Sequence, residues 1–201
     1  MLSVLYMWLN PVSTLMLWRW GTLQSVERVF VPLESVSPHL IEAVLASEDA
    51  AFCSHSGIDW GALLNVIEGA QEQGATRGAS TLTMQVSKNL FLWHGRSYVR
   101  KAIEMPLSLM IDGLWTKRRI LEVYVNIAEW GSGVFGIEAA SQKYFGVSAR
   151  DISPRQARLL ATALPAPRLR SPATPSFSHA LKTRLLSKRL KREMIDLSCV
   201  R

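Results

Sequence analysis

The sequence predicts a mainly α-helical fold, preceded by one transmembrane helix over residues 1–20. Three observations carry this. Apolar residues recur at helical spacing through most of the chain, and alternation of Val, Ile and Thr between turns is nearly absent. Ser37-Pro38 and Ser153-Pro154 each offer a cap followed by a first-turn proline. Residues 1–18 carry no charged side chain, and about 17–25 such residues span a bilayer. With 201 residues, the remainder (21–201) is read as one domain.

The elements follow in order. In the N-terminal run, Asn10 and Pro11 are an interruption that a spanning helix tolerates, and Trp8, Trp18 and Trp20 suit an interface. A cleaved signal peptide lacks its basic start here, and a buried core helix is the remaining reading. Arg19 and Arg28 follow the run, so positive-inside counting alone would leave the bulk of the chain cytoplasmic. Residues 21–36 read as a connector. Helices are expected from Ser37, over 58–70, over 80–92 and from Arg100 to Trp130, with Pro106 and Gly113 kinking or breaking the last. A glycine-bearing loop is expected at 71–79. Gly131, Gly133 and Gly136 mark a loop before the short helix IEAASQKYF, and a helix from Ser153 runs to Pro165. Four prolines make 165–177 a loop, and the tail from Ser178 carries leucines at helical spacing.

Composition narrows the function. Apolar residues make up 48%, with a mean hydropathy of +0.11, which excludes a disordered chain. The net charge of +7 points to anionic partners. From Arg150 onward there are 12 basic and 3 acidic residues, which suits a solvated helix face or contact with anionic head groups. Nucleic acid is disfavoured, because the basic tail lacks interleaved aromatics and no DNA-binding motif occurs. The two cysteines, Cys53 and Cys199, exclude a disulfide-dense scaffold and a four-cysteine zinc site without fixing the redox compartment.

Three clusters carry chemistry. In SEDAAFCSHSG, Glu48 and Asp49 end an apolar helix, where the negative end of the dipole raises carboxylate basicity, as a general base requires. Phe52 supplies an apolar wall, His55 a hydrogen-bonding ring, and Gly57 a turn. In GASTLTMQVSKN, Ser80 or Thr81 can cap a helix on which Thr81, Gln85 and Lys88 share one face, a set able to grip phosphate oxygens or sugar hydroxyls. Arg77 adds charge there, and no Walker loop is present. In RSYVRKAIE, Arg96, Arg100 and Glu104 are four residues apart with Lys101 beside them. Three cations on one side can neutralise a pyrophosphate leaving group. Each cluster alone also reads as ordinary surface: a solvated acidic helix end, an amphipathic helix, an i,i+4 salt bridge.

Taken together, and with the order KRRILEVYVN from Lys117 to Asn126, the chain resembles glycosyltransferase family 51, most closely its monofunctional biosynthetic peptidoglycan transglycosylases. The motif E-D-x-x-F-x-x-H-x-G is matched by Glu48, Asp49, Phe52, His55 and Gly57. The second is matched by Gly78, Ser80, Thr81, Leu82, Thr83, Gln85, Lys88 and Asn89, with Met84 where the family has a first glutamine. The third is Arg100, Lys101 and Glu104. The likeness covers about residues 20–175.

The resemblance implies a lysozyme-like α-helical glycosyltransferase domain that joins lipid II to a polyprenyl-pyrophosphate-linked glycan through a β-1,4 bond. It makes Glu48 the general base and Glu104 an aid to pyrophosphate departure. It implies a substrate-binding set of Asp49, Phe52, His55, Ser80, Thr81, Gln85, Lys88, Asn89, Arg96, Arg100 and Lys101. It allows Mg²⁺ or Mn²⁺ at the pyrophosphate and implies no organic cofactor. Its expected partners are membrane lipids and cell-wall synthesis or division proteins. It places the chain in the cell inner membrane, single-pass, facing the periplasm. No S-x-x-K nucleophile occurs, so polymerisation without cross-linking is expected. The rival reading is a lysozyme-like lytic transglycosylase or hydrolase acting on finished glycan, which would need no cationic nest.

Overall fold

The computed structural model describes residues 2–73, 80–95 and 97–201. Gly78 and Arg77 of the second cluster and Arg96 of the third lie outside the described residues.

Ten α-helices dominate the described residues: α1 (Leu2–Leu5), α2 (Thr14–Gly21), α3 (Pro38–Glu48), α4 (Trp60–Gln73), α5 (Leu82–Phe91), α6 (Tyr98–Leu114), α7 (Lys117–Ile127), α8 (Ile137–Phe145), α9 (Pro154–Ala163) and α10 (Phe177–Arg192). The mainly helical expectation holds. Three short strands, β1 (Glu27–Arg28), β2 (Glu129–Gly131) and β3 (Val134–Phe135), form one sheet in the order β1-β3-β2. β1 lies parallel to β3, and β2 antiparallel to it. These strands are too short to show a period of two, so the sequence reads β1 as connector, β3 as loop, and Glu129 and Trp130 of β2 as the end of a helix that in fact stops at Ile127.

Local chemistry sets the helix ends. Ser153 and Gln156 form a reciprocal capping box at α9, whose first residue is Pro154. Ser37 also precedes a first-turn proline, yet its hydroxyl donates to Ile152 O (2.9 Å) and so ties α3 to the start of α9. Pro106 and Gly113 do not break α6, which runs on to Leu114. A proline removes one backbone donor, and α6 is held along α5 by Ser108, whose hydroxyl lies 3.0 Å from that of Ser87. The core lies between α3, α5, α7 and α9, with Trp130, Tyr124, Phe52 and Phe135 its largest fully buried side chains.

The N-terminal run departs from expectation. No described helix is long and apolar enough to cross a membrane. In place of one helix over 1–20 there are α1 and α2, separated by residues 6–13. Pro11 cannot continue a hydrogen-bonded ladder from the preceding turn, and Ser13 starts a new helix by accepting from Met16 N. The segment is docked on the domain: Trp115 Nε1 donates to Ser3 O (2.8 Å), Thr14 Oγ1 to Leu92 O (2.7 Å), and Arg119 to Tyr6 O.

Candidate active site

One face of α5, which carries Gln85, Lys88 and Asn89, brings the predicted residues together. At the end of α3, Glu48 lines a cavity of about 420 Å³ with Asp49, Asp59, Ser80, Thr81 and Arg189. Further along the same face Lys88 lines a cavity of about 250 Å³ with Gln85, Asn89, His94, Tyr124 and Glu129. Gln85 joins them: its Nε2 donates to Glu48 Oε2 at 3.0 Å.

Glu48 is desolvated. Burial raises its pKa above the usual carboxylate range, opposed by the Gln85 hydrogen bond and by the charges of Lys88 and Arg170. Arg189, from α10, donates to Ala46 O (2.7 Å) and so satisfies one of the last carbonyls of α3. The result is a basic carboxylate held at the wall of an open cavity.

Lys88 is desolvated too. Burial lowers its pKa, with Arg100 and Lys101 pushing the same way against Glu104 and Glu48. Among the described residues it forms no ion pair. A half-buried ammonium facing a cavity is a ready receiver for a phosphate oxygen, and a bound anion would restore its charge. His94 lines the same cavity, and burial together with Lys88 depresses its pKa, favouring the neutral ring.

Glu104 lies in the nest of cations expected around it. It is 2% exposed, and Oε2 accepts from Arg100 (2.6 Å) and Oε1 from Lys101 (2.8 Å). Lys101 also donates to Ser80 Oγ (3.0 Å), beside the buried Met84. Glu104 therefore gathers two cations.

Four more residues expected to touch substrate also make contacts inside the protein, Asp49 and Thr81 while lining the Glu48 cavity. Asp49 accepts from the ring Nε2 of His55 (3.0 Å) and from Leu82 N (2.8 Å), which pins the end of α3 to the start of α5. His55 has that carboxylate as its partner and is itself largely buried. Phe52 is a core residue, with Lys117 Nζ 4.7 Å above its ring. Thr81 is the cap of α5; its hydroxyl accepts from Met84 N and donates to Gly57 O (2.6 Å). Ser80, Gln85, Lys88 and Asn89 line cavities, and Arg100 and Lys101 stand beside them.

Residues left out of the expected set also belong here. Tyr124, Arg170, Arg189 and His94 all touch or bias the two cavities. Tyr124 was visible in its motif, whereas Arg170 and Arg189 lie in stretches whose only sequence signal is charge.

No group of three or more His, Cys, Asp or Glu side chains able to hold a metal occurs among the described residues. The carboxylates near Lys88 already pair with cations: Glu129 with Arg19 and Arg168, and Glu104 with Arg100 and Lys101. These residues do not fit a protein-held divalent ion.

A mainly helical scaffold with a desolvated carboxylate and gathered cations along one helix defines a site for transfer of a group bearing an anionic leaving group. The transglycosylase family profile matches residues 16–192, and the chain belongs to that family. The biosynthetic peptidoglycan transglycosylase of Brucella suis biovar 1 (strain 1330) is 48% identical over 192 residues, covering 96% of this chain and 86% of that protein. Proteins of the same description from Agrobacterium fabrum (strain C58 / ATCC 33970) and Rhodopseudomonas palustris (strain TIE-1) are 46% and 53% identical. They cover 96% and 87% of this chain, and 85% and 75% of their own lengths.

Proposed function

We propose that this chain is a peptidoglycan glycosyltransferase that polymerises lipid II into β-1,4-linked glycan, releasing polyprenyl pyrophosphate. The observation that carries the reading is the placement along one face of α5 of a base-like Glu48 and of Lys88, which has no ion-pair partner among the described residues, joined by Gln85. The relatives named above support it by their descriptions.

In this reading Glu48 takes the proton of the acceptor sugar's 4-hydroxyl as that oxygen attacks the anomeric carbon of the donor. The carbon–oxygen bond to pyrophosphate breaks, and the leaving group departs with the electron pair. Lys88, Arg100 and Lys101 receive its charge. Inversion at that carbon requires the base on the face opposite the leaving group, so in this reading the two sugars lie between Glu48 and the three cations. Glu104 aids that departure by holding Arg100 and Lys101 in place. Any Mg²⁺ or Mn²⁺ would arrive with the pyrophosphate, and no step depends on it.

The site belongs at the outer face of the inner membrane, where a lipid-linked substrate is met. Two observations support that placement. Exposed apolar side chains gather on the N-terminal segment and α6, among them Trp8, Trp18, Trp20, Val99 and Leu114. Cys53 and Cys199 are disulfide-bonded, which suits an oxidising compartment. Cell-wall synthesis or division proteins are the expected partners.

The test is polymerisation of labelled lipid II by detergent-solubilised protein. Wild type is expected to make glycan polymer, and Glu48→Gln to lose about 10²- to 10⁴-fold in rate. Release of sugars from purified sacculi, with no polymer from lipid II, would instead identify a hydrolase or lytic enzyme.

A further inference from the structure

Tyr124 is the largest buried group near the site with no part in the mechanism above. It sits on α7, 1% exposed, and its hydroxyl donates to Gln85 Oε1 at 3.2 Å. Gln85 in turn donates through Nε2 to Glu48 Oε2 at 3.0 Å. The three groups form a chain running from the protein interior to the carboxylate.

The chemistry of a primary amide gives this chain a direction. The glutamine head has one accepting end and one donating end, of nearly equal shape. Turned by half a revolution, it would set a carbonyl oxygen against the Glu48 carboxylate and destabilise the ionised form. Only a donor on the far side selects the orientation in which N–H faces Glu48. Burial and the charges of Glu48 and Asp49 push the Tyr124 phenol well above its ordinary range, so it keeps its proton and stays a donor. The α5–α7 packing that places Gln85 beside Tyr124 is part of the core.

We propose that Tyr124 is a positioning residue for the reaction, fixing the Gln85 amide so that it donates to Glu48 and sets the pH at which that carboxylate becomes a competent base. This rests on the reading of Glu48 as the base. The other charged groups around Glu48 are Lys88 on α5, Arg170 after α9, Arg189 on α10, Asp59 before α4 and Asp49 beside it. All remain when the phenol oxygen alone is removed, so Tyr124→Phe isolates the relay.

The experiment measures lipid II polymerisation by the full chain between pH 5 and 9 for wild type, Tyr124→Phe, Gln85→Ala and the double variant. Tyr124→Phe is expected to move the acidic limb of kcat upward, with about a fivefold loss of kcat on that limb, the size of one hydrogen bond. At the alkaline plateau its kcat returns to the wild-type value, and KM for lipid II stays within about twofold. Gln85→Ala moves the limb in the same direction, and adding Tyr124→Phe to it moves nothing further. Replacing Tyr124 by a difluorotyrosine, which keeps the oxygen and strengthens the donor, moves the limb the opposite way and covers the case of a poorly folded phenylalanine variant. An unmoved limb in a folded Tyr124→Phe protein, or additive effects in the double variant, overturns the proposal. If wild type makes no polymer, or Glu48→Gln retains full activity, the failure lies with the proposed reaction and not with the relay.

Discussion

Glu48 illustrates how a single residue can be tuned for chemistry against the stability of its own fold. Its folded-state pKa is raised because burial disfavours the charged form. An acid with a raised folded pKa binds protons more readily folded than unfolded. Its contribution to stability is therefore complete below the unfolded pKa and is lost as pH rises through the folded one. At neutral pH the ionised carboxylate is a standing cost, offset in part by Gln85, Lys88 and Arg170. Glu48→Gln should accordingly raise Tm at pH 7–8 while abolishing polymerisation, and the gain should shrink as pH falls through the folded-state pKa. Thermal unfolding of both proteins across pH checks this; a pH-independent Tm difference would refute it. Residue identity was readable at this scale, but the internal contacts were not. Asp49, His55 and Thr81 stand in the same motifs as Glu48 and Lys88, and they also tie the end of α3 to α5 through His55 to Asp49, Leu82 N to Asp49 and Thr81 to Gly57 O, while Phe52 is part of the core. A motif states which side chains occur together; it cannot distinguish a group that faces a cavity from one that holds the cavity's walls.

At the scale of the element, helix signals that depend on neighbouring residues translated well. Pro154 with Ser153, the nine residues of α8 and the loop after Pro165 lie where caps, spacing and prolines put them. Signals that depend on tertiary surroundings did not. The charge-free N-terminal run reads as one spanning helix by composition, yet Pro11 divides it and Trp115, Leu92 and Arg119 supply hydrogen-bond partners that bind it to the domain. The position of α5 depends on one glycine. Gly57 has φ +81°, and a Cβ there would lie 2.7 Å from Ser108 O on α6. Its own carbonyl accepts the Thr81 hydroxyl that caps α5. Gly57→Ala should therefore cost about 1–3 kcal/mol from backbone strain alone, before the contact with α6 is counted. It should also lower polymerisation, because moving the start of α5 displaces Gln85 and Lys88. Denaturant unfolding measures the first effect and lipid II turnover the second; an alanine variant with unchanged midpoint and rate would show that the loop relaxes freely.

Across the whole molecule, the C-terminal tail is tied to the rest of the fold by contacts that no local pattern announces. The chain's tail returns past α3: Ile195 and Val200 are buried, and Arg118 at the start of α7 reaches both Val200 O (3.1 Å) and Glu34 (2.7 Å). Cys199 is bonded to Cys53, 146 residues earlier, in the segment between Asp49 and His55. Two cysteines that far apart carry no periodic or spacing signal, so their pairing could be read only from the fold. A cross-link over so long a loop removes much of the unfolded chain's freedom, and loss of a native disulfide costs about 2–5 kcal/mol. For a chain of this length that corresponds to a fall in Tm of roughly 5–15 °C. Cys53→Ser with Cys199→Ser should show this drop, and a reductant should produce it in wild type while leaving the double variant unmoved. Thiol labelling supplies the independent check: wild type should offer no reactive thiol until denatured and reduced. Because the tether anchors the segment that presents His55 to Asp49, its loss should also reduce polymerisation at temperatures well below the new Tm. A drop in Tm with full activity retained would instead confine the bond to global stability and free the site loop from it.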